Sequence, residues 1–284
     1  MYAITLAAAC ALVWGVSDFC GGKATTRSRP QSVTVLSQVL GLPMIALLLV
    51  VLPGTPRWSD VLIGAAAGIA GVLGILLLYR GLAQGSMAVV APTTAVTSAL
   101  VPLAGGLLVG ERPGTGALVG ALCAVAAIAL VSLAPGESGG DAGPRTPRHK
   151  TIGLALLAGA GFGAFFVILH FAGEGAGMWP MVGVRASSIP LGIFLAVRAR
   201  AALRPPGGST LLLMAGAGLG DTLANGLYLL AVQHGELAVV APIAALYPVS
   251  TVLLALIVQK ERMRAVQIAG LGLAAAALVL TAQP

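Results

Sequence analysis

The sequence predicts an all-α integral membrane protein with ten transmembrane helices, arranged as two inverted five-helix repeats. Three observations carry that expectation. Hydrophobic residues fill 58% of the 284 positions and charged residues 9%, with a mean hydropathy of +0.98, which leaves too little polar surface for a soluble domain. Ten apolar stretches recur along the chain, each close to the ~20 residues that a helix needs to cross ~30 Å of hydrocarbon. The pentapeptide Ala-Val-Val-Ala-Pro stands at 88–92 and again at 238–242, and the same offset relates Gly85 to Gly235, Glu111 to Glu261 and Gly120 to Gly270.

The spans fall near 3–21, 31–52, 60–79, 86–109 and 115–134, then 151–171, 178–197, 209–230, 237–258 and 265–282. Their apolar runs are continuous rather than alternating, so they read as helices and not as barrel strands. The first has no basic residue ahead of it and no cleavage pattern, so it is expected to remain as a span. The fourth and ninth carry Pro92, Pro102, Pro242 and Pro248; each proline removes a backbone donor, so these helices are expected to bend or open locally. Small residues at Gly64-x3-Gly68, Gly116-x3-Gly120, Gly159-x3-Gly163 and Gly216-x3-Gly220 let backbones approach closely. That spacing suits internal packing, and a homodimer is left open. Cys10, Cys20 and Cys123 lie within or at the ends of apolar segments with no ligand spacing and read as packing residues.

Residues 135–150 form the one truly polar stretch, rich in Gly and Pro, and read as a linker between a first repeat at 1–134 and a second at 151–284. Five spans per copy is an odd number, so the second copy enters the membrane from the opposite side and the duplication becomes an inverted repeat. The loops on one side hold Lys23, Arg27, Arg29, Arg80, Arg145, Arg148, Lys150, Arg198, Arg200, Arg204, Lys260, Arg262 and Arg264; those on the other hold Arg57 and Arg112. That bias predicts a multi-pass protein of the cytoplasmic membrane with the linker inside and both termini outside. The net charge of +7 is therefore topological, and no nucleic-acid partner is implied.

The duplicated stretch, Trp14-Gly15 in the first span, and the Glu-Arg pairs 111–112 and 261–262 that close the fourth and ninth spans together resemble the drug/metabolite transporter superfamily, specifically its EamA-like members. The likeness covers nearly the whole chain. It implies a ten-helix inverted-repeat carrier with a central cavity that moves small metabolites by alternating access, export being the family's common assignment. The second half has Phe162-Gly163 where the first has Trp14-Gly15, so the aromatic is kept in kind only.

Residue chemistry points to a carrier independently. Charges at membrane depth cost about 2.5–3.5 kcal/mol on insertion scales, so they face a cavity or a partner. Asp18, Arg185 and Asp221 are such charges. Arg185 lies eight residues into the seventh span, roughly 12 Å from its outer end at ~1.5 Å per residue, and Asp221 lies at similar depth in the eighth, so an ion pair is within reach. Asp221, Asn225 and Tyr228 fall on one helix face and are expected to line the cavity, with Asp221 binding substrate or titrating; a structural pair with Arg185 is the alternative. Gln38 and Arg185 each precede a proline by five residues, Pro43 and Pro190, as one ancestral cavity position would. Arg185 then suits an anionic group such as a carboxylate, and Gln38 neutral hydrogen bonds. Asp18 is either a second proton-coupling carboxylate or a cap paired with Lys23. Trp14, Tyr79, Thr93 and Tyr247 complete the substrate-binding candidates, with Thr94 nearby. His170 and His234 read as interfacial residues, and Glu111 and Glu261 as interfacial caps and fold markers.

Gly22-Lys23 is not a phosphate-binding loop, His-Glu-x-x-His does not occur and no Cys/His cluster has metal spacing, so no catalytic residue, metal or cofactor is assigned. An intramembrane enzyme or a non-transporting scaffold is the competing class, but dispersed polar groups on duplicated helices do not form a nucleophile and base. A channel would call for a charge ring or filter loop. Few aromatics and mixed intramembrane charge favour a small polar or amphipathic solute, such as an amino acid derivative or drug-like compound, over a bulky phosphorylated sugar.

Overall fold

The computed structural model describes residues 1–84, 87–132, 148–173, 175–201, 203–259 and 265–282. Those residues are helical with no strand: α1 (Tyr2–Thr25), α2 (Pro30–Leu40), α3 (Leu42–Val51), α4 (Trp58–Gln84), α5 (Met87–Leu108), α6 (Thr115–Ser132), α7 (Arg148–His170), α8 (Trp179–Arg198), α9 (Gly208–Gln233), α10 (Leu237–Ala244), α11 (Tyr247–Gln259) and α12 (Ala265–Thr281). Most of the linker, Gly85 and the Glu261-Arg262 pair lie outside the described residues.

Among the described residues, six helical stretches are long and apolar enough to cross a bilayer: Tyr2–Thr25, Pro30–Val51, Trp58–Leu78, Thr115–Ser132, His149–His170 and Trp179–Arg198. Pro92–Leu108, Leu237–Thr251 and Ala265–Thr281 are shorter apolar helices. At ~1.5 Å per residue the 26 residues of α9 also reach across hydrocarbon. That helix is missing from the six because Asp221, Thr222 and Asn225 dilute its hydropathy. Large apolar side chains point outward, including Leu12 (59% exposed), Val50 (78%) and Leu212 (74%), while alanines dominate the interior. A chain built this way meets lipid with its outer surface.

Two of the expected spans are broken. The second divides at Gly41, where Pro43 enters the first turn of α3 and cannot donate to the preceding turn. The ninth divides at Ala245-Leu246, just ahead of Pro248. The other expected openings differ: α5 runs as one helix through Pro92 and Pro102, and Pro242 lies inside α10.

The principal contacts join one half of the chain to the other. Helix α1 packs on α9 and α4 on α7; α1 on α11 and α5 on α7; α2 on α9 and α4 on α8; α6 on α12. Each pairing maps onto its partner under the sequence duplication. Glycines make the tightest crossings. A Cβ on Gly218 would strike the Ser37 carbonyl of α2, and one on Gly183 the Val61 carbonyl of α4. Gly64, Gly68, Gly120, Gly159, Gly163 and Gly220 likewise face a neighbouring helix at close range, which places the small-residue spacing at internal interfaces.

Candidate functional site

Helices α8 and α9 present Arg185 and Asp221 to each other at mid-span. Arg185 Nη2 donates to Asp221 Oδ2 at 2.5 Å and to Thr222 Oγ1 at 3.1 Å, so the ion pair that the sequence depths allowed is formed. Trp14 Nε1 of α1 donates to the other carboxylate oxygen at 3.2 Å. The two charges are not equally hidden: the Arg185 side chain is 10% exposed and that of Asp221 38%. The guanidinium therefore forms the back of the site and the carboxylate its accessible face. Asn225 Nδ2 donates to the Asp221 carbonyl at 2.6 Å, which holds the Asn225 side chain along its own helix. The α2–α3 break abuts this point, since a Cβ on Gly41 would meet the Gly218 carbonyl and Thr222 Oγ1.

Trp14 is the hub of an aromatic cluster, with ring centroids 5.7 Å from Phe166, 6.3 Å from Tyr228 and 6.0 Å from Tyr247. Tyr228 is wholly buried, and its hydroxyl donates to the Phe166 carbonyl at 3.0 Å. Asp18 lies one turn beyond Trp14 on the same face of α1 and is exposed. Helices α1 and α9 run antiparallel: Arg27 reaches Ser209 at one end, and Tyr2 meets the His234 ring at the other. Asp18 thus lies on the side of Trp14 toward the arginine-bearing helix ends, and Tyr228 toward the opposite ends. Lys23 sits 5.2 Å from the Phe19 ring centroid and forms no ion pair with Asp18 among the described residues.

The remaining candidates are dispersed. Gln38 Oε1 accepts from Ser188 at 2.6 Å, one turn along α8 from Arg185, and Gln38 also lines a largely apolar crevice of about 280 Å3 between α2, α4 and α8 that extends to Arg80. Thr93 lies on α5, its carbonyl accepting from Thr97 Oγ1 at 2.7 Å, and the neighbouring Thr94 Oγ1 donates to the Ala155 carbonyl at 3.2 Å. The Tyr79 side chain lies outside the described residues. His234 Nδ1 contacts the Leu230 carbonyl at 2.8 Å.

Sequence reasoning missed where the Glu111 cap acts. Gly110 takes φ +97° and the Glu111 N–H closes on the Gly106 carbonyl at 3.0 Å, a left-handed turn that favours glycine. The turn folds Glu111 back over Gly106 of α5, and its two carboxylate oxygens accept from the N–H groups of Leu237 and Ala238 at 2.7 and 2.8 Å. The repeated Ala-Val-Val-Ala-Pro segment of the second half thus has its N-terminus capped by the first. His170 Nε2 stands 4.0 Å from the same carboxylate. The recurring Glu-Arg at the end of a span was the available signal, but its partner is 126 residues away.

The model of the EamA-like transporter family matches this sequence twice, over residues 1–133 and 149–283. The chain belongs to the EamA-like transporter family. That family is part of the drug/metabolite transporter superfamily, and its members are transporters rather than enzymes. No curated protein matches the chain. A solved crystal structure, named only as that of a protein, shares the fold with a TM-score of 0.77 over 98% of this chain and 96% of its own, at 16% identity.

Proposed function

We propose that the protein is a secondary carrier that moves a small amine-bearing metabolite or drug-like solute across the cytoplasmic membrane by alternating access, with outward export as its direction. One observation carries the reading: at mid-span an accessible carboxylate, Asp221, is held between a buried guanidinium and an indole. An ammonium group entering from the open side competes with Arg185 for Asp221 and gains a cation–π contact with Trp14. The released guanidinium then suits a carboxylate on the same solute. Asp18 and Tyr247 line the approach, Asn225 and Tyr228 support the wall, and Gln38 (on the crevice between α2, α4 and α8), Thr93 and Tyr79 are further solute contacts.

The topology within this reading is ten spans in two inverted repeats, 1–134 and 151–284, joined by the linker 135–150. The twofold family match and the matched helix pairings support it. Charge asymmetry supports a cytoplasmic linker and outer termini. Asp18 and Asp221, carboxylates on the packed helices α1 and α9, support proton coupling, with solute binding expelling the proton. In liposomes with an imposed pH gradient the protein then moves an amine-bearing solute against its concentration gradient, and Asp221→Asn loses the gradient dependence. Unchanged pH dependence in that variant refutes the coupling.

A further inference from the structure

A second cavity, of about 330 Å3, lies where α1 leads into α2 and α8 leads into α9. Arg29, Arg200 and Arg204 line it, Leu36 and Met214 form its apolar floor, and among the described residues no acidic side chain lines it. Arg29 is already engaged, since its Nη1 donates to the Ala199 and Arg200 carbonyls at 3.3 and 3.2 Å. The side chains of Arg200 and Arg204 have no hydrogen-bonding or ionic partner among the described residues. Ser32, in the same wall, is 5% exposed, and its hydroxyl is likewise unpartnered there.

The backbone at Arg200 is a separate observation. With φ +50° it is the one non-glycine residue with positive φ among those described. It closes α8 as Gly110 closes α5: the Ala201 N–H reaches the Ala196 carbonyl at 2.9 Å, across a position that favours glycine. An L-residue there is strained, and strain of this kind accompanies function when the side chain is needed in place.

We propose that this cleft binds the phosphate of an acidic phospholipid headgroup. Guanidinium groups pair with phosphate oxygens through charge-assisted hydrogen bonds, and the Ser32 hydroxyl is placed to donate to a deeper oxygen. The cleft sits at the ends of four helices, where a headgroup lies, and basic pockets at that depth recognise anionic lipids. The Leu36–Met214 floor suits the apolar acyl end of a lipid and has nothing to offer free phosphate.

The test uses the purified full chain in phosphatidylcholine nanodiscs, with phosphatidylglycerol or inorganic phosphate added, read by thermal melting and by lipid retention in native mass spectrometry. Arg200→Gly fits the backbone conformation, so its melting in phosphatidylcholine alone should be no lower than that of the parent. Phosphatidylglycerol should stabilise the parent, and Arg200→Gly and Arg204→Gln should each weaken its binding roughly fivefold. Equal retention by parent and variants overturns the proposal. So does stabilisation by inorganic phosphate that matches the lipid's.

Discussion

Asp221→Asn and Arg185→Gln delete the same ion pair but leave different remnants, so their costs should differ. Asn at 221 strands a guanidinium that is 10% exposed, with Thr222 Oγ1 at 3.1 Å as its remaining strong acceptor. Breaking a buried pair from one side costs about 3–5 kcal/mol, and the surviving bond sets the lower end, about 3 kcal/mol. Gln at 185 leaves a carboxylate that is 38% exposed and still bonded to Trp14 Nε1 at 3.2 Å; water supplies the rest, for a loss of about 1 kcal/mol. The difference of ~2 kcal/mol corresponds to about 4–8 °C in thermal midpoint for a chain of this order of size. The double variant should lose less than the two singles added together, because the pair is coupled. Fluorescence-detected melting of the four proteins in one detergent decides the matter. Equal midpoints, or Arg185→Gln melting lower, would refute the placement of a buried guanidinium behind an accessible carboxylate.

Other outcomes follow from the packing and the caps. Gly218→Ala forces a methyl into the Ser37 carbonyl and should cost ~1–3 kcal/mol, whereas Gly272→Ala, inside α12 with nothing within 4 Å of its added carbon, should melt no lower than the parent. Glu111→Ala strands the first N–H groups of α10 and should lose ~1–2 kcal/mol, Glu111→Gln less, both read by melting. Burial, then the neighbouring Glu111 carboxylate, pushes Glu236 above its ordinary 4.5. A carboxylate raised on folding stabilises fully below its unfolded value and loses that contribution as pH rises through the folded value. Glu236→Gln should therefore melt higher than the parent at neutral pH, with the gain vanishing below 4.5; a gain that persists in acid contradicts the assignment.

Much of this was legible because bilayer physics is blunt: continuous apolar runs and a repeated pentapeptide already imply packed, duplicated helices. Arg185 and Asp221 were legible as partners because two opposite charges at one membrane depth have few other ways to be accommodated. Less legible was which proline breaks a helix. Pro92 and Pro248 carry the same local cost, yet α5 continues and the ninth span divides, a choice made by neighbouring helices. Trp14 was legible as an aromatic of the first span, but its bond to Asp221 joins residues 207 apart, and nothing local encodes that. The α10 cap and the strained Arg200 turn are likewise tertiary: Glu111 reads as a span end until α10 is beside it, and an arginine after a helix gives no sign of its φ.

In the proposed cycle, solute and Arg185 compete for Asp221. Cells expressing the parent and Asp221→Asn at equal membrane abundance, compared for small molecules inside and outside, test it most directly. Amine-bearing solutes should be depleted inside and enriched outside with the parent and unchanged with the variant. An identical solute profile for the two proteins would contradict it.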